Sequence, residues 1–128
     1  MSKVAPQAPP SWLPSGFGAI LPSGRWWDAV RVPSFVGTRA VGVLRERSGP
    51  VVEDRFARTM TWFVPAGATA GWDAGLLGVQ ILGRGLALLV PAADALDSRR
   101  FVVWWAIPPN DTCLTDPDAL RGALEQAR

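Results

Sequence analysis

The run Phe101-Val102-Val103-Trp104-Trp105-Ala106-Ile107 constrains this chain more than any other stretch. It is continuously apolar, rich in β-branched and aromatic residues, and bounded by Arg99-Arg100 before it and Pro108-Pro109 after it. Successive side chains of a strand point to opposite faces, so a strand apolar at every position needs cover on both. The chain must therefore supply a sheet and the elements that bury it.

The rest of the sequence can supply them. A chain of 128 residues has room for one core and not for two ordinary domains. With 48% apolar residues and seven Trp, global disorder is excluded. Residues 1–11 are rich in Pro, Ala and Ser and read as a flexible arm; residues 12–128 read as a single domain, with Trp12 and Leu13 tacking the arm onto it. Pro9-Pro10-Ser11-Trp12-Leu13-Pro14 also has the make-up of a polyproline ligand. No apolar run approaches the roughly 20 residues of a bilayer span, so no membrane association is expected. The first 14 residues lack the apolar core of a secretory signal. Cys113, the only cysteine, cannot form an internal disulfide. Together these point to the cytoplasm.

Periodicity gives the coarse order. Residues 14–24 are turn-rich. Trp26 to Val32 reads as a strand, with Trp26, Asp28, Val30 and Val32 on one face and Trp27, Ala29 and Arg31 on the other. Ser34 is the expected N-cap of a helix over 35–47, whose Val36, Ala40, Val43, Leu44 and Arg47 share a face. Gly37 and Gly42 lower its propensity but permit close approach to a sheet. Val51 to Glu53 and Thr59 to Val64 form a hairpin through Asp54 to Arg58. In its second arm Met60, Trp62 and Val64 alternate with Thr59, Thr61 and Phe63. Leu76 to Leu82 and Leu86 to Val90 are expected to form a second hairpin through Gly83-Arg84-Gly85. After Phe101 to Ile107 comes a closing helix, with Thr115 as cap, Pro117 in its first turn, and Leu120 and Leu124 inward. The predicted fold is α+β: an antiparallel sheet of about five or six strands built from hairpins, with two helices packed on it.

Composition limits the chemistry. There is no histidine, which excludes a Ser-His-Asp or Cys-His arrangement, and Cys113 alone cannot build a zinc site. Gly83-Arg84-Gly85 lacks the third glycine and following helix of a dinucleotide loop. No cofactor is expected. The net charge is +2, with twelve Arg and one Lys, which is also what a GC-rich genome would encode. Among the acids, Glu53 and Asp54 point to opposite faces of a strand. Asp116 and Asp118 suit the positive end of a helix. Asp28 stands apart: it sits mid-strand among apolar neighbours and needs a partner, either an Arg or loop amides, unless it is a remnant metal ligand. Trp26-Trp27 and Trp104-Trp105 each put one indole on each face. Seven Trp are hard to bury in one small domain, so Trp27, Trp72 and Trp105 are the candidates for a surface that meets a partner.

Several patches, in order, resemble one family. They are Leu21-Pro22-Ser23-Gly24-Arg25-Trp26-Trp27-Asp28-Ala29-Val30-Arg31-Val32-Pro33, then Gly37, Leu44 and Gly49-Pro50-Val51-Val52, then Trp62-Phe63-Val64-Pro65-Ala66-Gly67-Ala68-Thr69 and Trp104-Trp105-Ala106-Ile107-Pro108-Pro109. They resemble small actinobacterial proteins related to the N-terminal domain of bifunctional primase/polymerases. For full catalytic members the resemblance implies a two-metal nucleotidyl-transfer site: an Asp-x-Asp or Asp-x-Glu pair, a phosphate-contacting histidine and a later acid on a strand. Asp28 lies where that later acid is expected. The pair has no counterpart on a strand, because Asp116-Pro117-Asp118 opens a helix, and the histidine is absent. One acid cannot hold two magnesium ions in line.

The expected function is therefore non-catalytic: an accessory or regulatory module that weakly binds nucleic acid or a replication protein. The alternative is a protein-interaction module, compatible with a homodimer, that uses a Trp-rich apolar surface; an aromatic-lined small-molecule pocket is a third reading. Arg55, Arg58, Arg84, Arg99 and Arg100 all fall in turns or strand ends. Their convergence on one face would favour nucleic acid, and their scatter around an apolar patch a protein partner.

Overall fold

Two strands with strict alternation set the frame. In the computed structural model, which describes residues 12–14, 18–109 and 114–128, β2 (Trp27–Pro33) pairs antiparallel with β4 (Thr59–Pro65), Val30 opposite Trp62. Around them β3 (Val51–Asp54), β5 (Gln80–Leu82) and β7 (Val103–Ile107) complete a five-stranded antiparallel sheet in the order β5-β2-β4-β3-β7. The arm 1–11 and Cys113 lie outside the described residues. The sheet with its two packed helices is the α+β architecture that the patterning predicts.

One face of the sheet carries Val30, Val32, Val51, Met60, Trp62 and Val64. Helices α1 (Ser34–Leu44) and α3 (Pro117–Ala127) cover it with Val36, Ala40 and Leu44, and with Leu120, Ala123, Leu124 and Ala127. Arg39 Nη1 ties the helices together by donating to the Ala127 carbonyl at 3.1 Å. Gly37 sets how close α1 can lie: a Cβ there would stand 2.6 Å from Met60 Sδ. Gly42 faces open space and has no such role.

The opposite face is covered by strands and loops. A separate two-stranded ribbon, β1 (Ala19–Pro22) with β6 (Ala87–Val90), lays Leu88 and Val90 over Trp27, Ala29, Val52, Phe63, Leu82 and Trp105. Trp12 and Leu13 pack on the same cluster. The rings of Trp12, Trp27, Phe63 and Trp105 touch in series, with centroids 4.8 to 5.9 Å apart. Ala92 and Ala95 close the outer edge of β7: the Trp105 amide donates to the Ala95 carbonyl at 2.8 Å, and its indole Nε1 to the Ala92 carbonyl at 3.0 Å. An edge so occupied does not offer a ladder to another chain.

Four local expectations are corrected. The second hairpin does not form, because β5 pairs with β2 and β6 pairs with β1; residues 74–77 form a short helix, α2 (Ala74–Leu77). Strand β1 falls inside the stretch read as turns. Ser34 is the first helical residue rather than the cap: Pro33 takes the cap position, with no side-chain cap bond. Thr115 does not cap α3 either. Asp116 does, accepting from the Ala119 amide at 2.9 Å, while buried Thr115 accepts the Gly49 amide at 2.9 Å. The bond from Gly49 takes up the Thr115 hydroxyl and leaves the cap of α3 to Asp116. Among the described residues no helix is long and apolar enough to cross a membrane.

Candidate arginine-bearing site

The β3–β4 turn shapes one end of the sheet. Asp54 Oδ1 accepts the Ala57 amide at 3.0 Å, closing the turn from its side chain, and Arg58 takes a left-handed conformation with φ 57°. A second turn lies alongside. Asp97 receives the amides of Arg100 and Phe101 on its carbonyl at 3.0 and 3.1 Å, and the Arg99 amide on its carboxylate at 2.9 Å. The turns are joined through Arg55. Its amide donates to the Val102 carbonyl at 3.0 Å, and its guanidinium donates to the Ser98 carbonyl. The turn that carries Arg55 and Arg58 therefore lies beside the one that carries Arg99 and Arg100.

Between the turn and the start of α1 runs a groove of about 460 Å³ lined by Ser34, Phe35, Glu53, Arg55 and Arg58. Phe35 is 65% exposed and Phe56, at the tip of the turn, 86%. Nothing in the sequence reading singled out either ring. The available signal was an apolar residue, Phe56, set between Arg55 and Arg58 in a polar turn. The three nearby carboxylates are already engaged: Glu53 by the Trp104 indole at 3.1 Å, Asp54 by its own turn, and Asp97 by Arg99 at 3.5 Å. Arg58 and Arg100 have no side-chain ion pair among the described residues.

Arg84 does not join this group. It lies between β5 and β6, beyond the other end of β2, since Leu82 pairs with Ala29 while Thr59 pairs with Pro33. At about 3.3 Å per residue, the length of β2 separates the two ends by roughly 20 Å.

The tryptophan expectation is also corrected. Trp27 and Trp105 are fully buried in the ring cluster and cannot form a partner surface, while Trp72 is half-buried against the helix-side core. The aromatic face found cover that hairpin counting had not anticipated, namely the β1–β6 ribbon and the segment after it.

Asp28 is 5% exposed. Its Oδ2 accepts the Gly67 amide and the Thr69 hydroxyl, both at 3.0 Å. The partners are neutral loop donors rather than an arginine, and they stitch the loop after β4 onto β2. Among the described residues no three His, Cys, Asp or Glu side chains cluster as a metal site. No family model, curated protein or solved structure matches this chain. The primase/polymerase resemblance thus rests on the sequence patches alone.

Proposed function

We propose that this chain is a non-catalytic module that binds single-stranded nucleic acid weakly at the β3–β4 end of its sheet. The carrying observation is that the turn with Arg55 and Arg58 lies beside the turn with Arg99 and Arg100, at an end of the sheet where Phe35 and Phe56 are exposed. Guanidiniums that track phosphates, interleaved with rings on which bases stack, are the usual means of binding single strands without sequence preference. The occupied carboxylate of Asp28 supports a role in the fold rather than in metal-dependent transfer. The primase/polymerase resemblance supports the partner class and an accessory place beside a replication enzyme.

The test is fluorescence anisotropy with single- and double-stranded DNA across a salt series. Each phosphate contact on a single strand contributes about −0.7 to the slope of log affinity against log salt, so four contacts give a slope near −3 and affinity no better than about micromolar at physiological salt. Arg58→Ala with Arg100→Ala should halve that slope, and Phe56→Ala should weaken binding at every salt concentration. Absence of binding at low salt, or a slope unchanged in the double variant, would overturn the reading.

A second reading has its own observation. On the outer face of the β1–β6 ribbon, Ile20 stands opposite Leu89, and both are exposed, as is Leu86 at the ribbon's end. A protein partner, including a second copy, would use this aliphatic face rather than tryptophan. It becomes the better account if the anisotropy titration is flat.

A further inference from the structure

We propose a second, separate site for a phosphate-class oxyanion at the opposite end of the sheet, between Arg25 and Arg84. It does not depend on the nucleic-acid reading above. Two turns are clasped together there. The Ser23 amide donates to the Leu86 carbonyl at 2.9 Å, the Ser23 hydroxyl to the Leu82 carbonyl, and the Gly24 amide to the Trp27 carbonyl at 2.7 Å. Gly24 has φ 88°, and a Cβ on it would stand 2.8 Å from Arg84 Cα, so only glycine lets the two backbones come this close. The clasp brings Arg25 and Arg84 into the lining of one groove of about 380 Å³.

The chemistry of that groove is one-sided. Its lining is Pro22, Ser23, Gly24, Arg25, Arg84 and Gly85, with no acid among them. Among the described residues neither guanidinium pairs with a carboxylate. The β3–β4 end differs, since Glu53 lines its groove together with Arg55 and Arg58, and Asp97 pairs with Arg99. Arg25 is also held in place, its guanidinium over the Trp26 ring at 4.5 Å from the centroid. A stacked guanidinium loses less freedom when it binds and keeps its fork of donors free for an oxyanion. Two like charges lining one groove repel, and an anion bound there removes that repulsion while gaining charge-assisted hydrogen bonds. Phosphate matches the fork geometry of the two guanidiniums, and no carboxylate lines the groove to compete with it. The phosphate has two sources, a free phosphate or pyrophosphate and a phosphodiester of nucleic acid.

The experiment follows the amides of Gly24, Arg84 and Gly85 and the Trp26 indole in proton–nitrogen spectra of the full chain. Sodium pyrophosphate and a short oligothymidylate are titrated separately, each against sodium chloride at matched ionic strength. Saturable shifts are expected with at least one of the two, with affinity reduced at least tenfold in Arg84→Gln and in Arg25→Gln. Shifts with pyrophosphate alone assign the free anion, and shifts with the oligonucleotide assign the phosphodiester. Both variants lie at exposed turn positions, so unchanged spectra elsewhere verify their fold. Shifts that follow ionic strength alone, or that survive both substitutions, would overturn the site. Arg58→Ala with Arg100→Ala should leave these shifts intact, which separates failure here from failure at the other end.

Discussion

The two faces of the sheet are buried by different means. On one, two helices deliver aliphatic side chains at regular spacing: Val36, Ala40 and Leu44 from α1, and Leu120 and Leu124 from α3. On the other, cover comes from segments far apart in sequence, residues 12–13, the β1–β6 ribbon and Ala95, laid over a chain of four aromatic rings. Regular cover holds itself together through its own backbone ladder. Irregular cover must be pinned at points, and those points are polar: the Trp105 amide and indole on the Ala95 and Ala92 carbonyls, and Ser23 on Leu86 and Leu82. The aromatic side chains of this face thus act both as filling and as attachment.

The largest test of that difference removes one large side chain from each face. Leu124→Ala leaves a cavity under α3 and should cost about 2–5 kcal/mol. Trp105→Ala should cost about 3–5 kcal/mol, and it also leaves the Ala92 carbonyl without its indole donor. Denaturant unfolding measures both. Hydrogen exchange distinguishes them: in the Trp105 variant, faster exchange should be concentrated in residues 91–96 and the ribbon, whereas the Leu124 variant should loosen α1 and α3 together. Equal exchange patterns would show that the ribbon side is no more dependent on single attachments than the helix side.

This asymmetry also explains what the sequence could and could not disclose. The alternation of Met60, Trp62 and Val64 with Thr61 and Phe63 is a local signal, and it places β4 correctly. The helical spacing of Val36, Ala40 and Leu44 is equally local. The continuous apolar run in β7 does report that both faces are covered, yet nothing local says by what. β1 is four residues with a proline at its end, and its partner β6 lies about seventy residues on, Ala19 opposite Val90. Adjacent strands joined through Gly83-Arg84-Gly85 suggest a hairpin, but Leu82 is pulled onto Ala29 and Leu88 onto Leu21. Tertiary burial overrode the short connection. At the candidate site the arginine-bearing turns were legible as turns. Their meeting depends on the Arg55 bonds to Val102 and Ser98, which link segments some forty residues apart.

Asp28 offers a smaller test, because it carries the irregular kind of attachment onto the helix side. The loop after β4 folds over the start of β2, with Ala68 and Trp72 packed on the helix-side core. The carboxylate holds this loop through Gly67 and Thr69. Hydrogen bonds to a charged group contribute about 1.5–3 kcal/mol, and no buried cation is stranded when the charge goes. Asp28→Asn should therefore lose about 1–2 kcal/mol, less than breaking a buried ion pair would cost. Exchange should quicken at the Gly67 amide and not at α1 or α3. A loss above about 4 kcal/mol would indicate that the carboxylate supports more than the loop.

The finest comparison makes one substitution at two tryptophans of the aromatic face. Trp27→Phe and Trp105→Phe delete the same atoms from fully buried positions, so their cavity terms are similar. The indole N–H groups differ. That of Trp105 donates to Ala92, whereas that of Trp27 is buried with no partner among the described residues. A buried donor left unsatisfied costs about 1–3 kcal/mol, so removing it at position 27 offsets most of the lost packing. Removing the satisfied donor at position 105 adds to the loss, because a carbonyl is then left unpaired. Trp27→Phe should lie within about 1 kcal/mol of the parent, and Trp105→Phe should be less stable than Trp27→Phe by about 1–3 kcal/mol. Equal destabilisation in matched urea titrations would mean that the Trp27 indole is hydrogen-bonded in solution, and that both rings serve as attachments.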